Sequence, residues 1–279
     1  MNIYDQLIKL QIIEDAWKQW QFYRTEVTEY LIEQLKHKNE VAILGAGRCN
    51  DIDLKYLLQY FKKIVLVDLD YEAMKEALKQ QGLQSHPHIT LMTENFVGIT
   101  PNDYRNFADQ LVYTVRQKGL DTSVDQLTQV ASTLLDGFYE QVMHTSLKLN
   151  NYENIVVIGV HSQLITMLDW IWQAVLQTLG KEEGTVREKI ITLNTMVVKR
   201  FNEALLKSAN KQLVIGYEIE RLDRSGAIQG ALQAAIDFNK RVEKHEVKLC
   251  DFRQMNWPFD LTQGIIYHMG IFTLETLKG

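Results

Sequence analysis

Val41-Ala42-Ile43-Leu44-Gly45-Ala46-Gly47-Arg48-Cys49-Asn50-Asp51, followed by Ile64-Val65-Leu66-Val67-Asp68, is the stretch that decides the fold. Each apolar run is short and rich in β-branched residues, as a strand buried on both faces would be. Between them Ile52, Leu54, Leu57, Leu58 and Phe61 recur every three to four residues, which predicts a helix with one apolar stripe. Strand, glycine turn, helix and strand make a crossover unit, and two parallel strands joined this way are right-handed in nearly every case. The glycine turn then lies at the carboxyl end of the first strand, where open α/β sheets bind ligands.

The chemistry of the turn follows from its residues. Gly45 and Gly47 permit dihedrals and a close backbone approach that a side chain forbids, and Ala46 between them adds little bulk. The following helix is expected to offer unpaired N–H groups to a polar or anionic ligand. Asp68, at the tip of the second strand, can accept hydrogen bonds from two ribose hydroxyls, with Leu69 next to it. A nucleoside-containing cofactor satisfies both features. The third glycine of a dinucleotide fingerprint would fall at Asn50, so a nicotinamide or flavin dinucleotide oxidoreductase is the weaker reading.

Outward from this unit the chain alternates helices and strands. Leu7, Leu10, Ile13, Trp17, Trp20, Tyr23, Val27 and Leu31 repeat at helical spacing, so residues 1–38 read as an N-terminal helical element, one long helix or two shorter ones. Its stripe is expected to pack against the domain; the sharper alternative has Trp17, Trp20 and Tyr23 walling the substrate side. Residues 39–279 read as one Rossmann-like domain. A third strand over 88–92 ends at Thr93, Glu94, Asn95 and Phe96, and Thr100-Pro101-Asn102-Asp103 then opens a helix with a capping box. Two helical patterns make residues 100–150 a helical insert. A fourth strand over 155–160 ends at His161-Ser162-Gln163, and a fifth over 213–217 ends at Tyr217. The mixed charges from Glu218 to Arg224 read as a solvated loop. The last two strands, around Val247–Phe252 and Ile265–Phe272, are separated by Met255-Asn256-Trp257-Pro258-Phe259, read as the turn; with no room for a helix they must be antiparallel.

Composition narrows the function classes. With 279 residues, 46% of them hydrophobic, the chain can bury one large α/β core and an accessory helical element. A net charge of -5 provides no broad basic field for a nucleic-acid backbone, which makes nucleic acid a disfavoured partner and a small molecule the expected one. Cys49 and Cys250 suit a reducing cytoplasm, and no Cys/His grouping has zinc spacing, so no metal is expected. Asp5, Glu14 and Asp15 among the first apolar residues fit neither a signal peptide nor a membrane span.

The segment Val41–Asp70 resembles the first two motifs of class I S-adenosylmethionine-dependent methyltransferases, with Gly45 and Gly47 matching the glycine loop and Asp68 the ribose-binding acid. It departs in having Ile43 where the family carries an acid and Cys49 where it carries a third glycine. The resemblance implies a Rossmann-like, seven-stranded, mostly parallel sheet with an antiparallel last strand, in the order 3-2-1-4-5-7-6. It implies bound S-adenosylmethionine held by Gly45, Ala46, Gly47, Asp68 and Leu69, with Glu94 and Asn95 on the adenine and Phe96 stacking. It also implies methyl transfer to a small-molecule acceptor, with His161 as the candidate catalytic residue and Ser162, Gln163, Tyr217 and Trp257 as candidate substrate contacts. The absence of an Asn/Asp-Pro-Pro-Tyr motif argues against amide or exocyclic amino nitrogens as acceptors. A non-catalytic nucleoside-binding or interaction domain that keeps the fold is the alternative that Ile43 and Cys49 leave open.

Overall fold

The computed structural model describes residues 2–277. In chain order its elements are α1 (Ile3–Leu10), α2 (Ala16–Gln19), α3 (Gln21–Gln34), β1 (Glu40–Leu44), α4 (Leu54–Leu57), β2 (Lys63–Asp68), α5 (Tyr71–Gln80), β3 (Ile89–Thr93) and α6 (Pro101–Lys118). They continue with α7 (Val124–His144), β4 (Tyr152–Ile158), α8 (Thr166–Leu179), α9 (Thr185–Ser208), β5 (Ala209–Arg221), β6 (Arg224–Ala227), α10 (Gln229–Glu243), β7 (Val247–Asp260) and β8 (Ile265–Thr276). The chain forms two compact units. A helical unit comprises the chain up to Ile12, Val97–Leu147 and Gln163–Val198; a sheet unit comprises Ile13–Phe96, Lys148–Ser162 and the chain from Lys199 onward.

In the sheet unit the strand order is β3-β2-β1-β4-β5-β8-β7. β3, β2, β1, β4 and β5 are mutually parallel, and β8 runs antiparallel to both of its neighbours, β5 and β7. With β7 and β8 as the sixth and seventh long strands, this is the order 3-2-1-4-5-7-6 that the resemblance implies. The register pairs Asp68 with Thr93, so the tips of β2 and β3 are level.

Three local readings need correction. The helix expected across Ile52–Phe61 is a single turn, α4; Asp53 caps it by accepting from the Tyr56 N–H, and the Leu54 N–H is taken by Gln81. The Leu54 and Tyr56 N–H groups are thus satisfied within the protein and are not the free helix donors expected for a ligand. The expected solvated loop after Tyr217 is instead strand: β5 continues to Arg221, paired with β8 as far as Tyr267, and β6 folds back on it. Finally, Trp257, Pro258 and Phe259 lie within β7, and the reversal comes after Asp260, whose carboxylate accepts from the Thr262 and Gln263 N–H groups. A proline is tolerated there because β7 is an edge strand and its register with β8 shifts between Trp257 and Asp260.

The N-terminal stripe is split over three helices: α1, with Leu7 and a 73% exposed Leu10, belongs to the helical unit, and only the later part packs on one face of this sheet. Tyr23, Val27, Tyr30 and Leu31 of α3 join Ile43, Leu66, Val156, Val214, Met269 and Ile271 in a single buried cluster, and Trp257 belongs to it. In the helical unit the capping box at the start of α6 is complete: Thr100 accepts from the Asp103 N–H while Asp103 accepts from the Thr100 N–H. Thr100→Ala is expected to lower the stability of that unit by about 1 kcal/mol, read as a reduced urea midpoint; an unchanged midpoint would remove the cap from the account. No helix of the described residues is long and apolar enough to cross a membrane.

Candidate functional site

The glycine loop closes on the strand that follows it. Gly45 and Gly47 have φ of +73° and +46°, in the left-handed region that glycine enters without strain. The Gly45 and Ala46 N–H groups both donate to the Val67 carbonyl, and the Gly47 N–H donates to Asp68 Oδ2 at 2.9 Å. A Cβ on Gly45 would lie 2.2 Å from the Val160 Cγ2, so this glycine is required by packing as well as by φ. A Cβ on Gly47 would meet nothing within 4 Å, so on that side the loop faces open space.

Cys49 also has a positive φ, +44°. The backbone thus takes, at the position where the resembled family has its third glycine, a conformation that costs a non-glycine residue roughly 1–2 kcal/mol. Its buried side chain joins the core cluster beneath the loop. Ile43 is likewise a core residue, 4% exposed, and offers the loop no charge.

Asp68 is the polar centre of the cradle. Each carboxylate oxygen accepts one N–H, from Gly47 on Oδ2 and from Asp70 on Oδ1, which fixes the group and leaves each oxygen capacity for a second donor. Burial raises its pKa, and the backbone bonds partly offset that. Leu69 beside it is 43% exposed, an apolar surface at the strand tip. From the neighbouring tip, the Glu94 N–H donates to the Asp68 carbonyl, and Glu94 and Asn95 are half-buried there. Phe96 does not lie open for stacking on a base alone; its ring packs on Phe201 at 5.0 Å.

A second group of residues adjoins the loop through β4. Val160 touches Gly45, and at Gly159 a Cβ would contact the Trp257 ring at 3.4 Å and Glu218 Oε1 at 3.8 Å. Ser162 donates to Glu218 Oε1 at 2.8 Å. Trp257 stacks on Tyr23, with centroids 5.8 Å apart and planes 18° apart, and meets Trp20 edge-on. Glu218 Oε2, the Tyr23 hydroxyl and Trp257 Nε1 are buried and have no protein partner. Burial raises the Glu218 pKa against the opposing pull of its own N–H and the Ser162 hydroxyl. Nothing in the sequence marks Glu218, since an acid two residues from another acid reads as surface; only its pairing inside the sheet buries it.

Other candidate residues lie apart from this group. His161 is fully buried, against Phe201 at 5.3 Å and Phe238 at 6.4 Å, so it belongs with α9 and α10. Its Nε2 bonds Asn202 Oδ1 at 2.9 Å, and Asn202 Nδ2 donates to Asp237, which in turn holds Arg241. Because the Asn202 amide orientation is set by Asp237, Nε2 must carry the proton, and His161 serves as a buried neutral tie. Burial lowers its pKa to about 4. Tyr217, adjacent to Glu218 in β5, necessarily faces the opposite side of the sheet. There it stacks on Phe272 and lines a cavity of about 190 Å³ with Phe238 and Leu249. Gln163 is exposed and belongs to the helical unit. Among the described residues no group of three or more His, Cys, Asp or Glu could hold a metal ion.

No family model matches the chain, and no curated protein matches its sequence. Among solved structures it is similar to magnesium protoporphyrin IX methyltransferase from Synechocystis PCC 6803, at 10% identity over 92% of this chain and 84% of that one, with a TM-score of 0.48. It is also similar to the methyltransferase domain of bacterial CtHen1-C, at 13% identity over 93% and 98%, TM-score 0.46. A third is TrmK from M. capricolum, at 8% identity over 90% and 68%, TM-score 0.41.

Proposed function

We propose that this chain binds S-adenosylmethionine in the cradle formed by Gly45, Ala46, Gly47, Asp68, Leu69, Glu94 and Asn95, and transfers its methyl group to a small-molecule acceptor. The observation that carries the reading is the bond from the Gly47 N–H to Asp68 Oδ2, which joins the glycine loop and the acidic strand tip into one rigid surface. The group fits the residues present. The open side of Gly47 admits a ligand where a Cβ would stand, and both Asp68 oxygens retain acceptor capacity for a ribose diol. Leu69 supplies an apolar contact for a base at the same tip, with Glu94 and Asn95 as its polar neighbours.

S-adenosylmethionine, when bound, supplies an electrophilic methyl. The protein's part is to hold the acceptor in line at near-attack distance, so no obligatory catalytic side chain is needed. The acceptor side is aromatic and acidic: beyond burial, the charges that raise the pKa of the Tyr23 hydroxyl are Asp51, Glu218 and Glu26. A phosphate backbone would meet repulsion there, which supports a small molecule over a nucleic acid. Free thiols at Cys49 and Cys250 support a cytoplasmic setting.

Calorimetry with S-adenosylmethionine, its demethylated product and NADH tests the cradle. Binding of the first two and not the third is expected. Failure of both to bind, or preferential NADH binding, would overturn the reading. Radiolabelled S-adenosylmethionine incubated with a cell extract then separates an enzyme from a binding domain, and label appearing in the low-molecular-weight fraction, not in RNA, is the expected product.

A further inference from the structure

We infer that the acceptor is an aliphatic amine, recognised as its ammonium ion by Glu218 beside the aromatic cluster of Trp257 and Tyr23. This rests on the methyl-transfer reading above and specifies its substrate class. Four observations carry it. Glu218 is 4% exposed, yet only one of its oxygens is engaged by a neighbouring side chain, the Ser162 hydroxyl; Oε2 is buried and has no protein partner. Among the described residues no Lys, Arg or His forms an ion pair with it.

The second observation is the surrounding field. The charges that act on the Tyr23 hydroxyl and raise its pKa after burial are Asp51, Glu218 and Glu26, all acidic. The neighbouring Arg24 donates to the Trp17 and Asn50 carbonyls and stacks over the Trp17 ring at 3.4 Å; its charge acts on Asp51 and Asp53, and it forms no ion pair with Glu218. The third is the aromatic lining. Trp257 and Tyr23 stack on each other with Trp20 edge-on, so the surround of Glu218 is an aromatic cluster that excludes water, the setting in which aromatic rings attract a cation most strongly. The fourth is location. Trp257 and Glu218 both abut Gly159, whose neighbour Val160 touches Gly45 of the cradle.

A neutral alcohol could donate to Oε2 but brings no charge to hold the buried carboxylate ionised, whereas an ammonium ion satisfies the lone pair and the charge together. The same carboxylate solves the reactivity problem, because an ammonium nitrogen has no free lone pair. One N–H proton passes to Glu218 Oε2, and the freed lone pair forms the N–C bond as the bond between methyl and sulfur breaks. Sulfur leaves as a neutral thioether, and the proton is released to solvent. Burial, which raises the Glu218 pKa, suits the side chain to accept that proton.

The test uses the full chain saturated with S-adenosylhomocysteine, titrated with n-butylammonium and benzylammonium and with the neutral isosteres 1-butanol and benzyl alcohol, read by calorimetry and tryptophan fluorescence. Binding of the ammonium ions at least tenfold tighter than of the alcohols is expected. Glu218→Gln, close to isosteric, should abolish that preference while S-adenosylhomocysteine affinity stays within twofold, and Trp257→Phe should weaken ammonium binding with less effect. Equal binding of alcohols and ammonium ions, binding of neither, or an unchanged preference in Glu218→Gln would overturn the amine assignment. Because each arm starts from a protein shown to bind S-adenosylhomocysteine, that failure is distinct from failure of the cradle itself.

Discussion

Asp68→Ala is expected to weaken S-adenosylmethionine binding about 10- to 100-fold, the loss of about 1.5–3 kcal/mol that follows removal of hydrogen bonds to a charged group. The carboxylate does two things at once. It presents acceptors at the tip of β2, and it holds the Gly47 N–H at 2.9 Å and the Asp70 N–H at 2.9 Å, so its removal also loosens the loop it braces. Asp68→Asn keeps the shape and one acceptor oxygen but loses the charge, and should fall between the wild type and the alanine variant. Calorimetry on variants with wild-type unfolding curves measures both effects. An alanine variant that binds S-adenosylmethionine as tightly as the wild type would remove Asp68 from the cradle.

His161→Ala is expected to destabilise the fold by about 3 kcal/mol, combining a cavity among Phe201 and Phe238 with an unpaired Asn202 oxygen, and to leave S-adenosylmethionine affinity unchanged. The same residue sets an acid limit. Its folded pKa is about 4 against an ordinary histidine value of 6.5, so between those values the unfolded chain holds a proton that the folded chain does not. The stability from neutral, buried His161 is therefore fully present above pH 6.5 and is lost as pH falls towards 4, by about 2 kcal/mol between pH 7 and pH 5. His161→Gln keeps a donor for Asn202 and does not titrate, so its urea midpoint should vary less over that window. Equal pH slopes for wild type and His161→Gln would place the acid sensitivity on other groups.

These two residues show what could be read from the chain and what could not. The Gly45–Gly47 turn, the acid at Asp68 and the crossover between them are legible because each is encoded in a few consecutive residues: β-branched runs, paired glycines, a charged strand end. The antiparallel closing pair is legible too, since a separation too short for a helix leaves the chain no other way to return. Even so, local pattern misplaced the reversal at Trp257-Pro258-Phe259, because whether a proline sits in a turn or in an edge strand depends on which strands lie beside it.

The side-chain constellation was decided by tertiary structure. Side chains alternate across a strand, so Tyr217 and Glu218, adjacent in sequence, line different faces, and register with β8 determines which one meets Trp257. His161 and Ser162 part in the same way at the end of β4, one to Asn202 and the other to Glu218. Tyr23 reaches Trp257 from more than two hundred residues away. The sequence alone determined where the glycine turn and its acidic strand tip stand and which way the strands run, because those follow from local backbone preference and chain connectivity. The buried acid and its aromatic walls emerged only on folding, because their burial depends on which distant strand and helix pack against them.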